Sequence, residues 1–214
     1  MKKYQGVIFD LDGVICHTDS FHYQAWKVLA DRMGIYFDEI INNRQRGVSR
    51  MESLEVLLER YEGPPLSNEE KINLATEKNE VYKNLLMTMD ESYLSESVSR
   101  TLHQLRENGV KLAIGSSSKN AETILERIGL SGFFDAISDG NNIQHSKPHP
   151  QVFDLAAEYI SLPASKCLVI EDARAGIEAA IAGGFDSVGM GDAADDERAT
   201  YSIKEFAEIL QIVL

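Results

Sequence analysis

The most informative part of the sequence is VIFDLDGVICHTD, residues 7–19. It begins as a short apolar run, which is typical of a strand buried on both faces of a sheet. Asp10 and Asp12 stand at the end of that run, and Gly13 follows at once. Because ionised carboxylates are costly beside an apolar core unless they are paired or bind a metal, the two aspartates mark a candidate site.

The composition is that of an ordinary globular protein. The 214 residues are 43% hydrophobic and 26% charged, enough for one large domain or for a core domain with a smaller one. No stretch approaches the roughly 20 apolar residues of a membrane span, and the N-terminus lacks the apolar region of a secretory signal. We therefore expect a cytoplasmic protein in which both cysteines, Cys16 and Cys167, are reduced.

The charge balance limits the partners. Lys and Arg number 21 against 34 Asp and Glu, which gives a formal net charge of −13. Such a field repels nucleic acid and anionic membranes, so we expect neither as a partner. A small anionic substrate would need a local cationic pocket or a metal. Nothing in the composition indicates an obligate dimer, and we expect a monomer.

Apolar runs and helical patterns alternate along most of the chain. After the strand at residues 6–9, further runs predict strands at 110–114, 135–138, 167–170 and 187–190. Helical patterns that stop at a glycine cover 98–107, 121–128 and 175–182. This alternation predicts a parallel α/β sheet with right-handed crossovers. Ser202, with Glu205 three residues on, predicts the start of a C-terminal helix.

The segment that follows the first strand has a different character. Residues 16–92 contain no convincing strand, but amphipathic patterns predict helices over 21–33, 51–61 and 68–87. Ser67 and Glu70 form a reciprocal cap pattern before the last of these helices. We therefore predict an α/β core of residues 1–15 and 93–214 and an inserted all-helical domain of residues 16–92.

Polar groups follow the predicted strands at the points where a parallel sheet binds its ligands. The groups are Asp10 with Asp12, residues 115–120 (GSSSKN), Lys147 before Pro148, and Glu171 with Asp172. Asp10 and Asp172 would suit Mg²⁺, which prefers oxygen ligands. Serine hydroxyls, backbone N–H groups and a lysine bind phosphate oxygens. The sequence thus predicts phosphoryl transfer, with Asp10 as the nucleophile and Asp12 as the general acid and base.

Each motif also has an ordinary structural explanation. Asp-x-Asp-Gly is often a solvated turn, and the serine-rich stretch is a plausible loop with a helix cap. Lys147 could be a solvated lysine, and Glu171 with Asp172 could cap the following helix. All four groups at the ends of the right strands are much harder to explain in this way.

With these residues in hand, the chain resembles the haloacid dehalogenase superfamily of phosphotransferases. Asp10-Leu11-Asp12-Gly13-Val14, Ser116, Lys147-Pro148 and Glu171-Asp172 stand in the order of that family's four motifs. The resemblance implies a Rossmann-like, three-layer core with a helical cap inserted after the first motif. It also implies an aspartyl-phosphate on Asp10 and Mg²⁺ held by Asp10, Glu171, Asp172 and the backbone carbonyl of Asp12.

The inserted segment and the serine-rich stretch of the core are similar to those of the hexose-phosphate mutases in this superfamily. The similar motifs are residues 46–50 (RGVSR), 22–26 (HYQAW), 78–79 (KN) and 116–120 (SSSKN). The resemblance implies that Arg50, Ser118 and Asn120 bind a non-transferring phosphate, and that Ser116 with Lys147 holds the transferring one. It implies that His22 and Lys78 contact the sugar or help to close the cap. Further implied substrate contacts are Trp26, Gly47, Val48, Ser49, Ser117 and Lys119.

Several alternatives stay open from the sequence. His22 and Trp26 lie one helical turn apart and could merely pack the cap, while Lys78 could be a solvated helix residue. A mutase that acts on a hexose phosphate is the leading hypothesis. A sugar-phosphate phosphatase of the same superfamily differs only in the acceptor, which would be water. A non-catalytic module that keeps the fold is the third.

Overall fold

A computed structural model describes residues 3–214 and contains one six-stranded sheet. Its strands are β1 (Gly6–Phe9), β2 (Lys111–Gly115), β3 (Ala136–Ser138), β4 (Cys167–Glu171), β5 (Asp186–Gly189) and β6 (Tyr201–Ser202). All neighbours are parallel, in the order β3-β2-β1-β4-β5-β6. In this register Phe9 lies between Ile114 and Ile170, so β1, β2 and β4 end at the same edge.

Side chains of the central strands alternate between two apolar layers, because successive residues of a strand point to opposite faces. Val7 and Phe9 pack into one buried cluster, while Ile8 packs into the other. Helices α5 (Glu96–Glu107) and α6 (Ala121–Arg127) cover the first face, with α9 (Ile209–Val213). Helices α7 (Gln151–Tyr159) and α8 (Arg174–Ala182) cover the second. The predicted three-layer, Rossmann-like α/β fold is confirmed.

Between β1 and α5 the helices are α1 (Asp19–Met33), α2 (Glu39–Asn43), α3 (Arg50–Leu58) and α4 (Asn68–Leu86). Ser49 and Ser67 begin α3 and α4 with reciprocal capping boxes, in which Glu52 and Glu70 complete the pairs. A separate apolar cluster lies within this segment and includes Trp26, Leu29, Leu54 and Leu57. The inserted segment is therefore helical, as predicted. None of the helices in residues 3–214 has both the length and the apolar character that crossing a membrane requires.

The short helix α2 was not predicted. Its five residues are too few to show a helical period, and the signal is only its cap: Asp38 accepts a hydrogen bond from the Ile41 N–H at 2.9 Å.

The predicted start of the C-terminal helix at Ser202 is wrong. Ser202 lies in β6, where it pairs with Gly189, and its hydroxyl donates to the Ala194 carbonyl at 2.6 Å. A 3₁₀ turn over Phe206–Glu208 leads into α9 instead. Glu208 accepts hydrogen bonds from the N–H groups of Lys204 and Glu205 at the start of that turn. Pairing at the sheet edge thus takes precedence over the local cap pattern.

The apolar cluster of the inserted segment offers a test of its packing. Leu54 has 0% exposure in α3, whereas Met51 on the same helix is 38% exposed. We expect Leu54→Ala to lower the free energy of unfolding by about 2 to 5 kcal/mol, because it leaves a cavity in a packed cluster. Met51→Ala, the matched control, should change it by less than about 0.5 kcal/mol. Urea denaturation followed by circular dichroism measures both, and equal effects would contradict the packing described.

Candidate active site

Three strand ends and one loop converge at the carboxyl edge of the sheet. Asp10 directly follows β1, and its N–H donates to the Ile170 carbonyl of the neighbouring strand at 2.9 Å. Ser116 directly follows β2, and its N–H donates to the Ser138 carbonyl at 3.0 Å. Asp172 directly follows β4. The structure therefore brings together the polar groups that the sequence placed at this edge.

Lys147 is buried beneath this edge and links two of its carboxylates. Its side chain has 0% exposure, and Nζ contacts both Asp10 Oδ1 and Glu171 Oε1. Burial lowers the pKa of Lys147, but the charges of Asp10 and Glu171 outweigh this and raise the pKa above its ordinary value. Lys147 is thus a buried ammonium and not a solvated lysine.

Glu171 is held from its other side by the backbone. Its Oε2 accepts hydrogen bonds from the N–H groups of Asp172 at 2.9 Å and Ala173 at 3.0 Å. The carboxylate therefore binds the turn that precedes α8, while its Oε1 faces Lys147. It does not cap α8 itself, because no side chain among the described residues caps the start of that helix, so the structural alternative is wrong. One side chain thus serves both the local turn and the site.

Asp10, Glu171 and Asp172 form a compact acidic group. Each offers a carboxylate oxygen, and these oxygens all lie within 4.8 Å of one another. Burial raises the pKa of Asp10 well above its ordinary value and that of Asp172 to about 7, because the charged forms are poorly solvated. Three closely spaced carboxylates fit a hard divalent cation such as Mg²⁺, which prefers oxygen ligands.

Two glycines make room for these carboxylates. A Cβ atom on Gly13, which has a φ of +91°, would lie 2.0 Å from Asp172 Oδ2. A Cβ atom on Gly176, in α8, would lie 1.9 Å from Glu171 Oε1. Any side chain at either position would displace a carboxylate, so the acidic group depends on both glycines.

Asp12 has a separate environment. Its carboxylate accepts a hydrogen bond from the Thr18 hydroxyl, and Thr18 Oγ1 accepts one from the Tyr82 hydroxyl at 3.1 Å. Burial raises the pKa of Asp12 to about 6, against the opposing effect of the Thr18 hydrogen bond. Sequence reasoning missed Thr18 and Tyr82, although Thr18 lies within the opening stretch. A carboxyl with this pKa is suited to both accept and donate a proton near neutral pH.

The serine-rich stretch forms a turn before α6 that also contacts the inserted segment. The N–H of Ser118 donates to Ser116 Oγ at 3.1 Å, and Ser117 Oγ donates to the Gly47 carbonyl at 3.1 Å. The Asn120 side-chain amide donates to Asn79 Oδ1 at 3.0 Å. Lys119 is exposed. Ser117 and Asn120 thus connect the sheet edge to the helical segment.

Lys78, which is buried, pairs with the partly buried His22 on the opposite side. Lys78 is 3% exposed, its Nζ lies 2.8 Å from His22 Nδ1, and it stands 4.7 Å above the Trp26 ring. Burial and the charge of Arg50 lower the pKa of Lys78 to about 7, and burial lowers the pKa of His22 well below its ordinary value. Lys78 is thus not a solvated residue. Trp26 is 1% exposed and belongs to the apolar cluster, which supports its packing role.

One cavity of 1140 Å³ separates these two sides. Arg50 lines it and forms no hydrogen bond or ion pair with any residue in the described part of the chain. Lys147 and Glu171, both with 0% exposure, are the two predicted site residues that do not line it. The other predicted residues all line it: Asp10, Asp12, His22, Trp26, Gly47, Val48, Ser49, Arg50, Lys78, Ser116, Ser117, Ser118, Lys119, Asn120 and Asp172.

A buried lysine lies between two carboxylates at the carboxyl edge of a parallel sheet, next to a cavity lined by further carboxylates and hydroxyls. Such groups suit an enzyme of the phosphotransferase class. The chain belongs to the haloacid dehalogenase-like hydrolase family, since the model of that family matches residues 4–184. Because members of this family with similar sequences are enzymes, the alternative of a non-catalytic module is set aside.

Proteins similar to this chain include a mutase and a phosphatase. A β-phosphoglucomutase of Bacillus subtilis is 39% identical over 87% of this chain and 83% of its own length. A fructose-1-phosphate phosphatase of Escherichia coli is 31% identical over 87% of this chain and 96% of its own length. The crystal structure of a β-phosphoglucomutase from Clostridium difficile superposes with a TM-score of 0.90, 35% identity and coverage of 97% and 96% of the two chains. The family alone therefore leaves the acceptor open.

The raised pKa of Asp12 predicts a pH-dependent stability. The folded-state value of about 6 exceeds the ordinary 3.8, so the ionised carboxylate destabilises the fold increasingly as pH rises through 6. We expect Asp12→Asn, in EDTA, to raise the free energy of unfolding at pH 8 by up to about 3 kcal/mol, with the gain shrinking toward pH 4. Urea denaturation at several pH values measures this.

The matched control for this prediction is Asp195→Asn, which removes an exposed carboxylate from the same chain. It should leave stability nearly unchanged across the pH range. A gain for Asp12→Asn that is equal at pH 4 and pH 8 would contradict the assignment of the effect to the Asp12 charge.

Proposed function

We propose that this enzyme is a β-phosphoglucomutase, which interconverts β-D-glucose 1-phosphate and glucose 6-phosphate. The observation that carries the proposal is the unpartnered guanidinium of Arg50 in the same cavity as Asp10. A phosphatase needs one phosphate site, whereas a mutase must also hold the phosphate that is not being transferred. Arg50 offers that second phosphate its hydrogen-bond donors, and the B. subtilis and C. difficile relatives support the same activity.

In the proposed reaction, an Asp10 carboxylate oxygen attacks the phosphorus of β-glucose 1,6-bisphosphate, and the bond from phosphorus to the sugar oxygen breaks. Asp12 protonates the departing sugar oxygen. In the other direction, Asp12 takes the proton of a sugar hydroxyl as that oxygen attacks the aspartyl-phosphate on Asp10. Both half-reactions use the same groups, and the bisphosphate turns around between them.

Other residues hold the transferring phosphoryl group. Ser116 donates its hydroxyl, and Lys147 lies beside the Asp10 oxygen where it offsets negative charge. Mg²⁺ would be held by Asp10, Glu171 and Asp172, with the Asp12 carbonyl, and would neutralise the repulsion between carboxylate and phosphate. The short distances between the three carboxylate oxygens support this site.

We propose that residues 16–92 act as a cap that closes over the core of residues 1–15 and 93–214. Hydrogen bonds that cross between the two include Ser117 to Gly47, Asn120 to Asn79, and Ser146 to Glu52 at 2.6 Å. A closed cap keeps water from the aspartyl-phosphate, so that a sugar hydroxyl becomes the acceptor. A soluble, cytoplasmic and monomeric enzyme that binds no nucleic acid stays our prediction.

The alternative function is a Mg²⁺-dependent sugar-phosphate phosphatase. The 31% identity to the E. coli fructose-1-phosphate phosphatase favours it, and Asp12 could equally activate a water molecule. The two functions share every residue at the sheet edge and differ only in whether water or a sugar hydroxyl reaches the phosphoenzyme.

A coupled assay decides between the two. We expect β-glucose 1-phosphate, Mg²⁺ and a trace of the bisphosphate to yield glucose 6-phosphate, detected by its dehydrogenase, with little inorganic phosphate. Release of inorganic phosphate without glucose 6-phosphate would contradict the mutase and support the phosphatase.

Asp10→Asn should abolish either activity while the circular dichroism spectrum is kept, since the amide is no nucleophile. Retained activity would remove Asp10 from that role.

Arg50 offers a second test. We expect Arg50→Ala to lower mutase turnover roughly 10- to 100-fold, because the second phosphate loses a charged hydrogen-bond donor. Hydrolysis of a small aryl phosphate, which has no second phosphate, should fall much less. Arg44→Ala, an exposed arginine that pairs with Glu59 at 2.7 Å, is the control. Equal losses on both substrates would count against the proposed role of Arg50.

A further inference from the structure

Arg46 joins the inserted segment to the acidic group. Its guanidinium contacts Asp172 Oδ2, lies 3.2 Å from Asp19, and lies 2.5 Å from Asp192. Asp172 and Asp192 belong to the edge of the sheet, whereas Arg46 belongs to the loop between α2 and α3. The side chains of Arg46 and Asp172 are 22% and 5% exposed, so this ion pair is well shielded from solvent. Sequence reasoning gave Arg46 no role.

The carboxylate that Arg46 contacts belongs to the group that suits a divalent cation. Asp172 shares that group with Asp10 and Glu171, and Lys147 already contacts the other two. Arg46 thus contacts Asp172, the one carboxylate of the acidic group that Lys147 does not contact. A divalent ion on Asp172 would lie close to the guanidinium, and two like charges so close repel each other strongly in a partly buried site.

The other partners of Arg46 give it an alternative position. Asp19 and Asp192 are 38% and 66% exposed at their side chains, and neither belongs to the acidic group. A guanidinium has five N–H donors in a fixed fork, so it can release Asp172 and keep these two carboxylates. Loss of the Asp172 contact therefore does not require Arg46 to become unpaired.

We propose that Arg46 is an internal competitor of the metal ion: it holds Asp172 when the site lacks a divalent cation, and metal binding displaces it. The inference rests on the metal site of the proposed function. Because coupling between two bound groups is reciprocal, a metal ion weakens the contact from Arg46 to Asp172 as much as Arg46 weakens metal binding. Metal occupancy and the position of the loop between α2 and α3 are then linked.

Binding of Mg²⁺ to the metal-free protein tests this without reference to catalysis. Isothermal titration calorimetry of the full chain, after removal of EDTA, gives the Mg²⁺ affinity of each variant. We expect Arg46→Ala to bind Mg²⁺ about 5- to 10-fold more tightly than the native chain, within the usual range of such couplings. Arg46→Gln, which removes the charge but keeps a long polar side chain, should do the same and serves if the alanine variant fails to fold.

Arg44→Ala is the matched control, since it removes the same charge two residues away from an arginine that pairs with Glu59. It should change the affinity by less than about twofold, as screened surface charges do. If the Arg46 variants bind Mg²⁺ no more tightly than Arg44→Ala, the competition is overturned while the metal site stands. If the native chain binds no Mg²⁺, the metal site of the proposed function fails, and this inference fails with it.

Discussion

The buried contacts of Lys147 with Asp10 and Glu171 are the interaction on which the rest of the site depends. An isolated charge in such a place would cost several kcal/mol, and loss of one partner would leave another charge uncompensated. The sheet makes the arrangement possible, because β1 and β4 are neighbours in register and Asp10 and Glu171 stand at their ends. The same register makes a buried cation necessary, because the adjacent carboxylates of Asp10 and Glu171 would otherwise repel each other inside the fold.

One buried ammonium cannot balance the four carboxylates at this edge. Burial raises the pKa values of Asp10, Asp12 and Asp172, and repulsion from neighbouring carboxylates adds to the effect, so the charged groups lower the stability of the fold. The same deficit of positive charge makes the site receptive to a divalent cation and to the guanidinium of Arg46. A site without excess negative charge would attract neither the divalent cation nor the guanidinium. The proposed function therefore requires carboxylates that destabilise the fold.

The parts of the fold that the sequence predicted are those with a local pattern. Buried strands show as apolar runs, their order follows from alternation with helices, and the groups at their ends follow from parallel topology. Helix α2 and strand β6 were not predicted. They have only five and two residues, respectively, which is too few to show a helical or strand periodicity. The prediction at Ser202 was wrong because the same residue type can begin a helix or lie in a strand at the edge of a sheet.

The site was predictable where it lies next to a strand and unpredictable where it depends on distant contacts. Arg46 reaches Asp172 across 126 positions of the chain, and Tyr82 reaches Thr18 across 64. Neither contact has a sequence spacing that could indicate it. Such residues act on other side chains and not on the backbone next to them, so only the folded chain reveals them.

In the proposed reaction, the choice of acceptor depends on how firmly residues 16–92 are held over the sheet edge. The hydrogen bonds from Ser117 to Gly47 and from Asn120 to Asn79 join neutral groups, each worth a net of about 1 kcal/mol. Arg46 adds charged contacts with Asp172 and Asp192, of which the proposed metal competition removes the first. A phosphate at Arg50 would add a charged hydrogen bond of about 1.5 to 3 kcal/mol. In the proposed reaction a substrate with two phosphates therefore closes the cap over the sheet edge more firmly than water alone can. In this proposal the sheet edge supplies the transfer chemistry, and a phosphate bound at Arg50 helps to exclude water from it.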